Sequence, residues 1–385
     1  MSATISEPRT PVGRLLRSAR EPQPRTTDFK LLWVIIIALN LFGLLMILSA
    51  SSVTALYQYG SSWYQFRLQA IWFVLGCCAL FIASRYSYEL LSKWMKPILF
   101  GSAALMTAVL VPGLGVSVNG SARWLGWGPL RMQPSEMAKL AVILYAADTL
   151  TRRVGQIGDW KAVLRPIAVV FGGFAVLLML QPNLGTTIIL ATIVLVMLFV
   201  GGAPGKPLAI LSGLLVAGAT VFAFAEPYRF RRLMAFSDPW ADPLNTGFQT
   251  IQSQVGFANG GILGTGLGQG RAKWGFLPEA HTDFIYAIIG EEIGLIGSVL
   301  VIAMFLGFAF FGVRTALHAR DRFGMLLATG ITTWILIQAF INIGACVGVL
   351  PITGVPLPFV SAGGSSLLFT MAASGILLNI ARQER

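Results

Sequence analysis

The stretch LLWVIIIALNLFGLLMILSASSV, Leu31–Val53, contains no Asp, Glu, Lys or Arg. A bilayer core needs about 20 apolar residues per helix, so this segment is long enough to cross one. It is too long for the apolar core of a signal peptide, and no small-residue cleavage site is evident. Working outward from it, the chain offers nine further apolar stretches: Arg67–Ala83, Pro97–Val111, Ser135–Thr151, Ile167–Leu180, Leu184–Gly202, Leu208–Ala225, Asp283–Val313, Phe323–Val347 and Gly364–Ala381. Gln181-Pro182-Asn183 separates the fifth from the sixth. The expected fold is an all-α polytopic membrane protein of ten transmembrane helices.

Composition agrees. Of 385 residues, 55% are hydrophobic and 11% charged, against about 25% charged in soluble domains. Mean hydropathy is +0.73. These values exclude an ordinary soluble enzyme and a disordered chain. Cys77, Cys78 and Cys346 all lie in apolar runs, with neither a disulfide framework nor zinc-ligand spacing. The net charge of +12 sits mainly in short loops between apolar stretches, which fits an anionic membrane surface and argues against nucleic acid as a partner.

Lys and Arg counting sets the orientation. With the amino terminus inside, Arg9 to Lys30, Arg85, Lys93, Lys96, Arg152, Arg153, Lys161, Arg165, Lys206, Arg314, Arg320, Arg322, Arg382 and Arg385 all fall on inner segments. Both termini are therefore expected in the cytoplasm. Residues 1–30 read as a basic cytoplasmic tail without fixed structure, 31–381 as the membrane domain and 382–385 as a second tail. Residues 226–282 form a large extracytoplasmic loop between the seventh and eighth spans. It is too long for a plain connector, so function is expected there.

That loop contains Asp238-Pro239-Trp240-Ala241-Asp242-Pro243 and a glycine-dense run through Gly266-Leu267-Gly268-Gln269-Gly270. The run matches neither a P-loop nor a dinucleotide fingerprint, so its glycines read as tight turns and close backbone approach. The loop ends Leu277-Pro278-Glu279-Ala280-His281-Thr282-Asp283-Phe284 and leads into a span bearing Glu291 and Glu292. Asp283 reads in two ways. It can be a carboxylate at a helix start, favoured by the dipole, or a general base that accepts a proton from a sugar hydroxyl. His281 reads as a helper of that base or as a solvated, hydrogen-bonded histidine.

Ahead of the fourth span the sequence runs Arg123-Trp124, then Gln133-Pro134-Ser135-Glu136-Met137-Ala138-Lys139. Ser135 is expected as the helix cap. Glu136 and Lys139, three apart, share a face. They are either a structural ion pair or, through Lys139 with Arg123, a site for an anionic diphosphate. The last outer loop, from Asn342-Ile343-Gly344 through Gly348 to Ser366, is rich in proline and glycine; irregular backbone at membrane depth belongs where it is protein-buried or lines a cavity. Ser361 and Ser366 are expected to cap the tenth span or to touch a polar headgroup.

Five ordered blocks carry a family resemblance: Arg123 with Gln133-Pro134-Ser135-Glu136 and Lys139; Gln181-Pro182-Asn183-Leu184-Gly185-Thr186; Asp238 to Pro243 with Gln252-Ser253; Leu277 to Phe284; and Leu350-Pro351 with Pro358-Phe359-Val360-Ser361-Ala362-Gly363-Gly364-Ser365-Ser366. Over residues 31–381 the sequence resembles the SEDS proteins (shape, elongation, division and sporulation), the membrane glycosyltransferases that polymerise bacterial peptidoglycan. The wording of the third and fourth blocks is more like the division branch than the elongation branch. Ala362 stands where a tyrosine is common, and Asn183 where an aspartate is frequent.

The resemblance implies a substrate, a mechanism and partners. The substrate is lipid II, a disaccharide-pentapeptide on undecaprenyl diphosphate. Asp283 is the implied base, with Arg123, Glu136, Lys139, His281, Ser361 and Ser366 around the substrate. The resemblance implies no definite cofactor; a divalent cation, Mg or Mn, is a candidate substitute or helper for positive charge at the diphosphate. Implied partners are a class B penicillin-binding transpeptidase (FtsI-like) and other division proteins, at the division site of the bacterial plasma membrane. A lipid II flippase and a non-catalytic scaffold are the rival readings.

Overall fold

The computed structural model describes residues 27–118, 121–127, 130–157, 159–225, 227–383. The basic tail over 1–26 lies outside the described residues. Helix α1 spans Thr27–Tyr59, so Thr27 to Lys30, expected in the tail, are helical. Asp28 is the reason: it is buried and pairs with Arg314 at 3.0 Å, which fixes the first turn.

The order continues with α2 (Tyr64–Arg85), α3 (Glu89–Leu110), β1 (Gly115–Val118), β2 (Ser121–Trp127), β3 (Leu130–Met132), α4 (Pro134–Arg152), α5 (Arg165–Leu180), α6 (Leu184–Val200) and α7 (Gly205–Ala225). Then come α8 (Pro227–Ser237), α9 (Phe248–Gly260), α10 (Ile285–Glu292), α11 (Gly294–Leu317), α12 (Arg322–Val347) and α13 (Gly364–Arg382). Each of the ten apolar stretches overlaps a helix. Among the described residues, seven helical segments are long and apolar enough to cross a membrane. Two others explain why hydropathy alone falls short. Helix α4 carries Glu136, Lys139, Asp148 and Arg152, and all but Arg152 are buried in protein. Helix α3 opens with Glu89, Lys93 and Lys96.

Burial sorts the helices. In the most apolar window of α13, 78% of residues are inside the bundle, against 6% for α7. Helices α4, α12 and α13 thus form the centre, while α2 and α7 turn residues such as Ile71, Val74, Phe81, Leu214 and Val216 outward. Between membrane helices, close packing replaces the hydrophobic drive, and small residues permit it. Gly375 of α13 is such a point: a Cβ there would lie 2.5 Å from the Leu80 carbonyl oxygen of α2.

Three features depart from the sequence expectation. Gly115–Val118, Ser121–Trp127 and Leu130–Met132 form a three-stranded antiparallel sheet, β1-β2-β3, with Val116 opposite Trp124 and a bulge at Val116/Ser117. The fold is therefore not purely helical. The long loop holds two helices, α8 and α9. The eighth apolar stretch is also two helices, α10 and α11, broken at Gly294, whose φ is +74°. A Cβ at Gly294 would stand 2.4 Å from the Gly264 backbone nitrogen, so the glycine-dense loop packs into the break.

Polar contacts gather at two ends of the bundle. At one end, Asp28 meets Arg314, Tyr88 donates to Asp321 at 2.7 Å, Asp148 binds Ser92 and Arg152, and Arg322 donates to the Gly201 carbonyl. At the other end lie the sheet, the loop after α7 and the segment before α13.

Candidate functional site

Asp283 does not begin a helix. It sits in a turn in which the Thr282 and Phe284 amides donate to the Glu279 carbonyl, and α10 starts two residues later with Phe284 as its cap. Asp283 thus stands one residue before the cap of α10, still close to the helix N-terminus. The Asp283 backbone carbonyl accepts from Asn342 Nδ2 at 2.8 Å and lies 3.4 Å from Cys346 Sγ. A Cβ built on Gly354 would lie 3.5 Å from Asp283 Oδ2, so the carboxyl group stands beside the segment between α12 and α13.

That segment, residues 348–363, has no regular structure; Val355 and Leu357 to Ser361 are buried, and the rest is half-buried or exposed. Its backbone polar groups need partners from side chains. Gln338 Nε2 donates to the Pro356 carbonyl at 3.0 Å, and Asn342 Nδ2 to the Val355 carbonyl at 2.8 Å. Gln69 of α2 brackets the far end, donating to the Ser361 carbonyl and accepting from the Gly363 amide. The Ala362 amide donates to the His281 carbonyl at 2.9 Å, which ties the Asp283 turn directly to the segment.

His281 Nε2 lies 3.2 Å from Gln65 Nε2. An amide nitrogen only donates, so that contact requires an unprotonated imidazole. Burial points the same way and pushes the His281 pKa down, against the opposing pull of Glu279. His281 thus joins the turn through both ring and backbone.

Lys139 is 1% exposed. Its Nζ lies 2.9 Å from Glu136 Oε1, 2.8 Å from Gln338 Oε1 and 4.6 Å from the centre of the Trp334 ring. Ser366 donates to the other Glu136 oxygen at 3.1 Å. The structure brings Glu136, Lys139 and Ser366 together, with Gln338 linking them to the segment beside Asp283.

Other expected residues bond to backbone groups nearby. Arg123 of β2 donates to the carbonyls of Gln181 (2.9 Å) and Pro182, bridging the sheet to the α5–α6 turn. Ser361 accepts from the Leu357 amide at 2.8 Å and so closes a turn within the segment; α13 has no side-chain cap. Ser135 is not the cap of α4 either. Proline suits the first helical position, so Pro134 starts the helix and Gln133 becomes its cap, with its amide donating to Ser365. Asn183 caps α6 by accepting from the Thr186 amide, a role Asn fills as well as Asp.

Two further sets of residues escaped sequence reasoning. One is the amide pair Gln338 and Asn342. The other is a buried ion pair, Lys273 Nζ to Glu292 Oε1 at 2.8 Å, joined by Ser49 of α1. Beside it, Glu291 accepts the amides of Arg271 and Ala272, and Glu292 that of Gly268. Two buried carboxylates thereby organise the glycine-dense loop. Their presence inside an apolar stretch was the available signal, since such charges need partners. Among the described residues, no three His, Cys, Asp or Glu side chains gather closely enough to hold a metal ion.

Residues 29–385 match the model of the FtsW/RodA/SpoVE cell cycle protein family. The chain is 42% identical over 352 residues to the probable peptidoglycan glycosyltransferase FtsW of Geobacter metallireducens, covering 91% of this chain and 93% of that one. It is 39% identical over 362 residues to the stage V sporulation protein E of Bacillus subtilis, covering 94% and 99%. Among solved structures it is similar to a chain from work on polymerization and crosslinking by a peptidoglycan synthase complex, with TM-score 0.75 and 29% identity over 91% and 96% of the two chains. The rod shape determining protein RodA of Thermus thermophilus matches with TM-score 0.67 and 26% identity over 92% and 96%.

Proposed function

Because the chain belongs to the FtsW/RodA/SpoVE family of cell cycle proteins, we propose that it is a peptidoglycan glycosyltransferase that polymerises lipid II at the division septum. The observation that carries this reading is the joining of three parts. The Asp283 turn, the irregular segment 348–363 and the Glu136–Lys139 pair are tied together by side-chain amides at one end of the bundle. The septal assignment rests on FtsW-named relatives that match over nine-tenths of both chains.

In this reading the chain crosses the plasma membrane ten times with both termini in the cytoplasm. The contacts that join Asp28, Tyr88, Asp148, Gly201 and Arg322 at one end support it, because these residues flank the segments expected inside. The opposite end then faces outward, where the sugars of lipid II lie. Asp283 takes the proton from the 4-hydroxyl of the acceptor GlcNAc. The freed oxygen attacks the anomeric carbon of the MurNAc at the reducing end of the growing chain. The bond from that carbon to the diphosphate oxygen breaks, and undecaprenyl diphosphate leaves with the electron pair. A single displacement inverts α to β and needs one base with no covalent nucleophile, unlike retaining transfer through two close carboxylates. Positive charge at the departing diphosphate comes from Arg123 and Lys139. Ser361, Ser366, Glu136 and His281 hold the backbone and charges around the substrate.

A class B penicillin-binding transpeptidase is the proposed partner; the synthase complex named among the similar structures supports it. The test is polymerisation of purified lipid II by the chain with that partner, read as glycan strands on a gel. Lipid II crossing between leaflets of sealed vesicles with no polymer would favour the transporter reading. Partner binding with neither activity would favour a scaffold.

A further inference from the structure

We propose that Asn342, supported by Gln338, is a positioning residue for the transfer, fixing the Asp283 turn against the irregular segment before α13. This inference rests on the reading of Asp283 as the base. Trp334, Gln338, Asn342 and Cys346 recur every fourth residue, so they share one face of α12. All four are buried: Trp334, Gln338 and Cys346 at 0% exposure and Asn342 at 2%. Side-chain amides inside a membrane helix are costly unless bonded. Here the donors are aimed with purpose.

Asn342 Nδ2 donates both its protons to backbone carbonyls, one on Asp283 and one on Val355. Gln338 Nε2 takes the next carbonyl along, that of Pro356. The Gln338 carbonyl oxygen accepts from Lys139 Nζ and from Trp334 Nε1, each at 2.8 Å. One helix face therefore holds two consecutive carbonyls of the segment, the peptide of Asp283 and the buried cation in a single register. Cys346 Sγ adds a longer contact to the same Asp283 carbonyl. The Asp283 peptide has no means of shifting against Val355 without breaking an Asn342 bond. An apolar side chain would fill the space without that constraint, so the amide's contribution is direction. Displacement of a reacting group by about 1 Å can cost about a hundredfold in rate. A group that acts only by orienting another lowers kcat and leaves substrate binding nearly intact.

The experiment compares wild type, Asn342→Ala, Asn342→Leu and Asp283→Ala, each purified in complex with the transpeptidase partner. Polymerisation of lipid II gives kcat and KM per folded complex, and thermal unfolding of the same samples reports stability. Asn342→Leu keeps the volume with neither a donor nor a buried charge, and it carries the test where Asn342→Ala fails to fold. The expected result is a fall in kcat of about ten- to a hundredfold for both Asn342 variants, with KM within about twofold of wild type. Wild-type kcat per folded complex in either variant would overturn the proposal, even if unfolding came at lower temperature, because that pattern marks a purely structural role. Full activity of Asp283→Ala would instead overturn the base assignment itself. The two failures are read from different samples.

Discussion

Replacing Lys139 by methionine keeps the aliphatic stem and removes the charge. The structure sets the cost. Lys139 loses an ion pair at 2.9 Å, a charge-assisted hydrogen bond to Gln338 at 2.8 Å and its place over the Trp334 ring. Glu136 keeps only the Ser366 hydroxyl and is 3% exposed. Removing one partner of a buried pair costs about 3–5 kcal/mol, because the other charge is stranded. Lys139→Met should therefore unfold at clearly lower temperature or denaturant than wild type. The double variant Glu136→Gln/Lys139→Met has no stranded charge, and replacing both members of a buried pair is often close to neutral. It should recover most of the lost stability. Activity separates the two roles of the lysine. If its charge also serves the departing diphosphate, the stable double variant still fails to polymerise lipid II. Unfolding in detergent and polymer yield on gels, run on the same preparations, give both numbers. Wild-type polymer yield from the double variant would refute the electrostatic role. Wild-type stability of Lys139→Met would refute the buried pair itself.

Two other outcomes follow from the same geometry. Lys273→Met strands Glu292, which is 1% exposed, and should cost about 3–5 kcal/mol, with faster hydrogen exchange confined first to residues 264–274. His281 has its pKa lowered by burial, so on acidification the unfolded chain takes up the proton first. The stability it contributes is complete above about pH 6.5, the ordinary histidine value, and is lost as pH falls below it; His281→Gln should flatten that part of the unfolding-versus-pH curve.

The apolar stretches were legible because lipid demands them, and each overlaps helix. The break at Gly294 was not. Glu291-Glu292-Ile293-Gly294-Leu295 lies in an otherwise apolar run, and what breaks the helix is the approach of Gly264, which lies thirty residues earlier. The sheet β1-β2-β3 was hidden for a similar reason: short strands with a bulge give little alternation to read. Glu136 and Lys139 were legible as a pair, since i,i+3 spacing sets them on one face and charges in a span seek partners. Arg123 was legible as a cation, but its bonds to the Gln181 and Pro182 carbonyls depend on a turn between two other helices. Gln338 and Asn342 look unremarkable in sequence, as neutral residues within an apolar helix. Only the four-residue recurrence from Trp334 to Cys346 hinted at a face turned inward, and which carbonyls it holds is a property of the folded segment.

The most direct measurement is the rate of glycan polymerisation by the Asp283→Ala complex, with lipid II binding and partner binding measured alongside. Loss of a general base costs about 10²–10⁴-fold, so the account predicts no detectable strands from a folded complex that still binds lipid II and its transpeptidase. Strands formed at the wild-type rate would contradict it.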